Sequence, residues 1–296
     1  MKRKSKVTCY LGGMLLLGGI ISAGAISAWT VAPGSITINV DSVGSSGGSA
    51  ASHRRPVDEI PGETKINTVS YAQRVKEFYG EFSLAKTGLD ISVFRQALTG
   101  FYNLKAMGRV PEGKQVLSIV DFTKPSREKR LWIIDLEEKR LLYHTLVAHG
   151  KGSGGAIATR FSNTTSSHQS SLGFYVTGEV YRGKHGRSLR LDGMDPGFNC
   201  NARDRAIVLH GASYVSQSFI QRAGRLGRSF GCPAVPEALS DGIIDHIKGK
   251  TVLFIHGPGD RYRSAYLDTA AAAGYSRLAG KIAVAFSSSS TSLSRP

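Results

Sequence analysis

The chain has 296 residues, enough for one domain of ordinary size with a small extension. Hydrophobic residues make up 41% and charged residues 20%, which excludes a fibrous or wholly disordered protein, while 35 glycines imply many loops. The formal net charge is +16, yet the Lys and Arg are spread along the chain with no arginine-rich arm or aromatic-basic motif, so nucleic acid is the weaker reading of that charge.

At the N-terminus, Lys2, Arg3, Lys4 and Lys6 precede an apolar run from Val7 to about Trp29 that ends in small residues near Ala23, Ala25 or Ala28. Residues 1–28 therefore read as a signal peptide or, if uncleaved, a membrane anchor. Either way the basic cluster stays inside, and the folded part is exported to the periplasm or cell envelope, anchored to the inner membrane if the segment is retained. Cys9 lies too early, behind Lys6-Val7-Thr8, for a lipoprotein cleavage site. The rest of the chain carries +12, so wall polymers and anionic lipid are the nearest polyanions.

Residues 29–63 are rich in Gly, Ser and Pro without periodicity and read as a flexible linker. Helical patterns follow at 67–79 and from Ile91. Asp90 is placed to cap the second, Phe94, Leu98, Phe101 and Leu104 lie on its apolar face, and Gly108 ends it. The stretch 64–110 is thus a helical extension packed on the core. From Gln115 the period becomes strand-like: QVLSIVDF, RLWIIDL, RLLYHTLVAH, GFYVTGEV (173–180), SLRL (188–191), RAIVLH (205–210) and TVLFIH (251–256). A short helix is expected around 215–223, and another from Pro236, as first helical residue, to Gly249. Residues 111–260 read as one catalytic domain, and 261–296 as a low-complexity tail. The fold class is mainly β, a sandwich or barrel with a small N-terminal helical extension.

GRSFGCPAV, residues 227–235, sets Cys232 in a Gly-rich turn. Only the thiolate of a cysteine reacts readily, so the residue needs a base. His210, at the end of a predicted strand and followed by Gly211, is fixed by the sheet yet open on one side. The amides of Gly231 and Cys232 are candidate oxyanion donors, since Pro233 has no N–H. Ser229 reads as a turn-stabilising hydroxyl. Arg225 and Arg228 flank the turn and suit a carboxylate, against a plain solvated face that also includes Arg222. Other readings weighed are a Cys200–Cys232 disulfide and a zinc site from Cys200, Cys232, His210 and one of His149, His168, His185 or His256, which lacks metal-ligand spacing. His149 reads as a turn histidine, and Asp192, Asp195 and Asn199 do not have the spacing of a calcium loop.

His210-Gly211 followed by Ser229-x-Gly231-Cys232, within GRSFGCPA and LDGMDPGFNCNARDRAIVLHGASYVS, resembles the murein L,D-transpeptidase (YkuD-type) catalytic domain family, over roughly Phe78 to Gly257. The resemblance implies a β-sandwich-like enzyme acting on peptidoglycan stem peptides, with Cys232 as nucleophile and His210 as base, its ring oriented by the carbonyl of Gly211. It implies no metal and no organic cofactor. Phe230 departs from the family, many members of which carry a second histidine there, and the His210 to Cys232 gap is longer than usual. An L,D-carboxypeptidase using the same pair and a non-catalytic peptidoglycan-binding protein are the alternatives.

Overall fold

The structure, a computed structural model, describes residues 63–278. The export segment 1–28, all but the end of the linker and residues 279–296 lie outside the described residues.

Two helices come first, α1 (Glu63–Glu81) and α2 (Ile91–Ala106). Asp90 caps α2 by accepting the Ser92 N–H at 2.7 Å, which satisfies one of the amides a helix start leaves open. Past the helix end the chain turns through Gly108, at φ 65°.

Eight strands form one sheet: β1 (Val116–Asp121), β2 (Leu131–Asp135), β3 (Arg140–Thr145), β4 (Gly173–Gly183), β5 (Gly186–Gly193), β6 (Val208–Ala212), β7 (Ala234–Pro236) and β8 (Val252–His256). Their spatial order is β3-β2-β1-β8-β4-β5-β6-β7, with β1–β8 and β6–β7 parallel and all other pairs antiparallel. Two bridges bring the ends of this order together: Ala148, just beyond β3, pairs with Ala234 of β7, and Gly150 pairs with Ser229. The sheet is therefore a nearly closed barrel, and its seam is the stretch that carries Cys232.

The central strands bury both faces, which is why their sequences are continuous apolar runs. Leu117, Ile119, Trp132, Ile134, Phe174, Val176, Val252 and Phe254 face one core together with Val93, Phe94, Phe101 and Leu104 of α2. Leu131, Ile133, Tyr175, Leu189, Leu209, Leu253 and Ile255 face the other, closed by Ile243, Ile244 and Ile247 of a helix at Glu237–Ile247. A shorter helix, Gln217–Ala223, is capped by Ser216, which accepts the Phe219 N–H at 3.3 Å.

Two expectations need correction. Pro236 caps the Glu237–Ile247 helix from outside and ends β7, so it is not a first helical residue. The three-residue β7 itself is too short to announce itself by periodicity. The tail expected from 261 does not hold over 261–278: Asn103 donates to the carbonyls of Tyr266 and Asp268 at 2.8 Å each, and Ala272 and Ala273 of a helical stretch over 269–278 are buried in the α2 core. The carboxylate of Asp195 helps to hold this segment, accepting from the Phe174 N–H at 2.6 Å, the Tyr262 hydroxyl at 2.8 Å and the Ser264 hydroxyl at 2.6 Å. Asn199 bonds Phe174 and Asp195, and Asp192 pairs with Arg203.

Candidate active site

β6 and β7 run parallel with His210 opposite Ala234, so Cys232 lies just before the point where pairing begins. Its Sγ accepts the Val208 N–H at 3.5 Å and donates to the Ala206 carbonyl at 3.7 Å. Val208 and His210 are two residues, roughly 7 Å, apart on β6 and point to the same face. Cys232 itself packs against the core cluster that holds Ile207 and Leu209, whose side chains alternate with Val208 and His210. Cys232 is a free thiol, so it forms no disulfide with Cys200.

His210 is 1% exposed. Its Nδ1 lies 2.9 Å from the Gly211 carbonyl, and because a carbonyl can only accept, the proton is on Nδ1 and the Nε2 lone pair is left as the basic site. His185, between β4 and β5, stacks on the ring at a centroid distance of 4.4 Å. Burial pushes His210 below the ordinary histidine value and pushes the Cys232 thiol up. The resting pair at neutral pH is therefore neutral imidazole and neutral thiol, with no hydrogen bond between them among the described residues. Apo sites commonly show this looser geometry.

The turn is held from inside. The Ser229 hydroxyl donates to the Cys232 carbonyl at 2.6 Å and accepts the Gly231 N–H at 3.0 Å. This corrects one expectation: the Gly231 amide is spent within the turn and is no oxyanion donor here. Gly231 has φ 128°, and a Cβ on it would sit 2.8 Å from the Gln169 carbonyl, so the turn needs glycine on two counts.

From outside, the run after β3 supports the turn. Ser229 N–H donates to the His149 carbonyl at 3.0 Å and Lys151 N–H to the Ser229 carbonyl at 2.8 Å. His149 is not a turn histidine: it is wholly buried, and its Nδ1 accepts from Arg130 at 2.8 Å. Burial and the Arg130 charge hold it neutral, at about 4. Its Nε2 has no partner among the described residues.

The arginines expected to hold substrate each make one bond to a backbone carbonyl. Arg225 donates to the Leu226 carbonyl at 2.7 Å and Arg228 to the Gly154 carbonyl at 2.8 Å. Phe230, 58% exposed, forms a lip beside the thiol, with His168 at 4.7 Å and Lys151 Nζ at 4.3 Å from its ring centre. Among the described residues no three His, Cys, Asp or Glu side chains are placed to hold a metal. A cavity of about 630 Å³ adjoins the turn through Ser162 and Gln169 and contains neither Cys232 nor His210. Sequence reasoning missed Arg205 and the stacking role of His185. Both act across contacts that join segments distant in the chain, and only the position of Arg205 at the head of RAIVLH hinted at it.

Fold and site together define a mainly β domain in which a cysteine turn leads into a strand paired with the one that carries a buried histidine. The family model described as the L,D-transpeptidase catalytic domain matches residues 85–256, more than half of the chain, and the chain belongs to that family. No curated protein matches it. Solved structures similar in part include the LD transpeptidase LdtMt1 in complex with imipenem, at 10% identity and TM-score 0.30 over 48% of this chain and 59% of that one. They also include the L,D-transpeptidase from Xylanimonas cellulosilytica DSM 15894, at 15% identity and TM-score 0.29 over 55% and 80%. The helical cell shape determining protein Pgp2 from Campylobacter jejuni is similar at 11% identity and TM-score 0.32, over 59% of this chain and 60% of that one. The chain spans about three fifths of the length of LdtMt1 and of Pgp2.

Proposed function

We propose that the protein is an exported peptidoglycan L,D-transpeptidase in which Cys232 is the nucleophile and His210 the base. The observation that supports this is the parallel pairing of β6 with β7, which brings the turn carrying the free Cys232 thiol to the strand that carries His210. In the first half-reaction the Sγ proton passes to Nε2 as sulfur attacks the carbonyl of the L-to-D bond of a stem tetrapeptide. The C–N bond then breaks, the proton goes to the leaving amine, and D-alanine departs from a thioester. In the second, an amine gives its proton to Nε2 while its nitrogen takes the acyl group, and the thiol is restored. Gly211 keeps the imidazole in the tautomer this requires. The Cys232 N–H is the donor assigned to the oxyanion.

The test is intact-protein mass spectrometry of the reduced protein after incubation with a carbapenem, which acylates an activated thiol. A stable adduct on Cys232, absent in Cys232→Ala, is the expected result. A folded, reduced protein that takes no adduct would favour a peptidoglycan-binding protein of the same fold. Muropeptide products then separate an amine acceptor from water, the acceptor of an L,D-carboxypeptidase.

A further inference from the structure

Arg205 is a half-buried guanidinium placed beside the cysteine turn and paired with no carboxylate among the described residues. Its Nη1 donates to the Ser162 carbonyl at 2.7 Å and to the Ser171 hydroxyl, and its Nη2 to the Gln169 carbonyl at 2.6 Å and the Ser167 hydroxyl at 3.3 Å. These bonds tie the loop over 162–171 to the start of β6. The same loop meets the turn: the Ser170 hydroxyl donates to the Gly231 carbonyl at 3.0 Å and accepts the Gly150 N–H at 3.0 Å. Nη2 would lie 3.4 Å from a Cβ on Gly231. The residue that follows Arg205 is Ala206, whose carbonyl receives the Cys232 thiol.

With both terminal nitrogens committed to neutral oxygens, the guanidinium is poorly placed to clasp a substrate carboxylate, and its charge is fixed where it stands. Tyr214, which burial holds neutral at up to about 12, also lies within electrostatic reach of the sulfur, and His210 on β6 is neutral at rest. Arg205 is thus a fixed positive charge beside the turn that carries Cys232. Its field opposes the burial that pushes the thiol up.

We propose that Arg205 is a positioning residue for Cys232, which locks the 162–171 loop beneath the nucleophile turn and supplies the fixed positive charge that the thiolate faces as its proton leaves for His210. It exchanges no proton itself. The proposal deepens the reading of Cys232 as the nucleophile and rests on it.

The experiment follows alkylation of Cys232 in the full chain by site-resolved mass spectrometry, with neutral iodoacetamide and anionic iodoacetate, as a function of pH. In each reaction sulfur displaces iodide, and the thiol proton is released to solvent. In Arg205→Gln the midpoint of the iodoacetamide profile is expected to rise by about one unit, the low end of the effect of a nearby opposite charge. The iodoacetate-to-iodoacetamide rate ratio should fall severalfold, while Arg205→Lys keeps most of that ratio. A folded Arg205→Gln with wild-type midpoint and ratio would overturn the proposal. If the Gln variant does not fold, the ratio in the native wild-type chain is compared with that in the same chain unfolded in urea, and equal ratios overturn it. A carbapenem adduct in the wild type alongside an unmoved midpoint removes the role of Arg205 alone, whereas absence of any adduct removes the nucleophile reading itself.

Discussion

Along β1, β2 and β8 the side chains turned toward α2 are aliphatic or aromatic, and their support is burial shared among many neighbours. Around Cys232 the support is of another kind: a serine hydroxyl bridging two backbone groups, a glycine at φ 128°, and amides exchanged with His149 and Lys151. Apolar burial is tolerant of detail and additive in area, so the first region makes the domain stable. Directional hydrogen bonds are intolerant of displacement, so the second region places one sulfur. Substitutions should therefore separate stability from reactivity according to which region they touch.

The largest effect is expected from Gly231→Ala. A Cβ there meets the Gln169 carbonyl and forces the turn out of its conformation, and a shift of about 1 Å is enough for a rate loss of about a hundredfold. Carbapenem acylation rates should drop by that factor while the melting temperature changes little, and unchanged acylation would show that the turn is not the precise element described. Trp132→Ala is the converse. Its indole is fully buried between the sheet and the helical layer and donates to Thr87 at 2.8 Å, so its removal should cost about 3–5 kcal/mol in denaturant titration. The surviving folded fraction should acylate at the wild-type rate per molecule.

A third test crosses the two regions. His149 supports the turn but is itself buried and neutral, at about 4 when folded, against about 6.5 for an unfolded histidine. The unfolded chain binds this proton first as pH falls, so stability is intact above about 6.5 and declines toward 4, by about 3 kcal/mol in all. Denaturation midpoints across that window should slope accordingly, and a His149→Gln variant should lose that part of the slope. An identical slope in the variant would mean that other groups carry the acid sensitivity.

Much of this was legible in the chain. The runs LWIIDL and VLFIH announce strands buried on both faces because sheet packing demands unbroken apolar sequence. Asp90 and Gly108 mark the bounds of α2 because helix ends leave backbone groups that only certain residues satisfy. The Gly-rich setting of Cys232 was likewise a local signal, whereas His210, expected at a strand end, is the middle residue of β6 because pairing with β7 extends the strand through Ala212.

What the sequence by itself determined, then, is what has its cause within a few residues: element type, the helix caps, the turn and its two candidate site residues. Tertiary structure alone decided the parallel seating of β7 on β6, the closing bridge from Ala148 to Ala234, and the packing of Ala272 and Ala273 onto α2. It alone also set Arg205, through a loop some forty residues earlier, beside the Cys232 turn. The reason is physical: hydrogen bonds and charges act over a few ångströms of space, and separation along the chain gives no measure of that distance until the barrel closes.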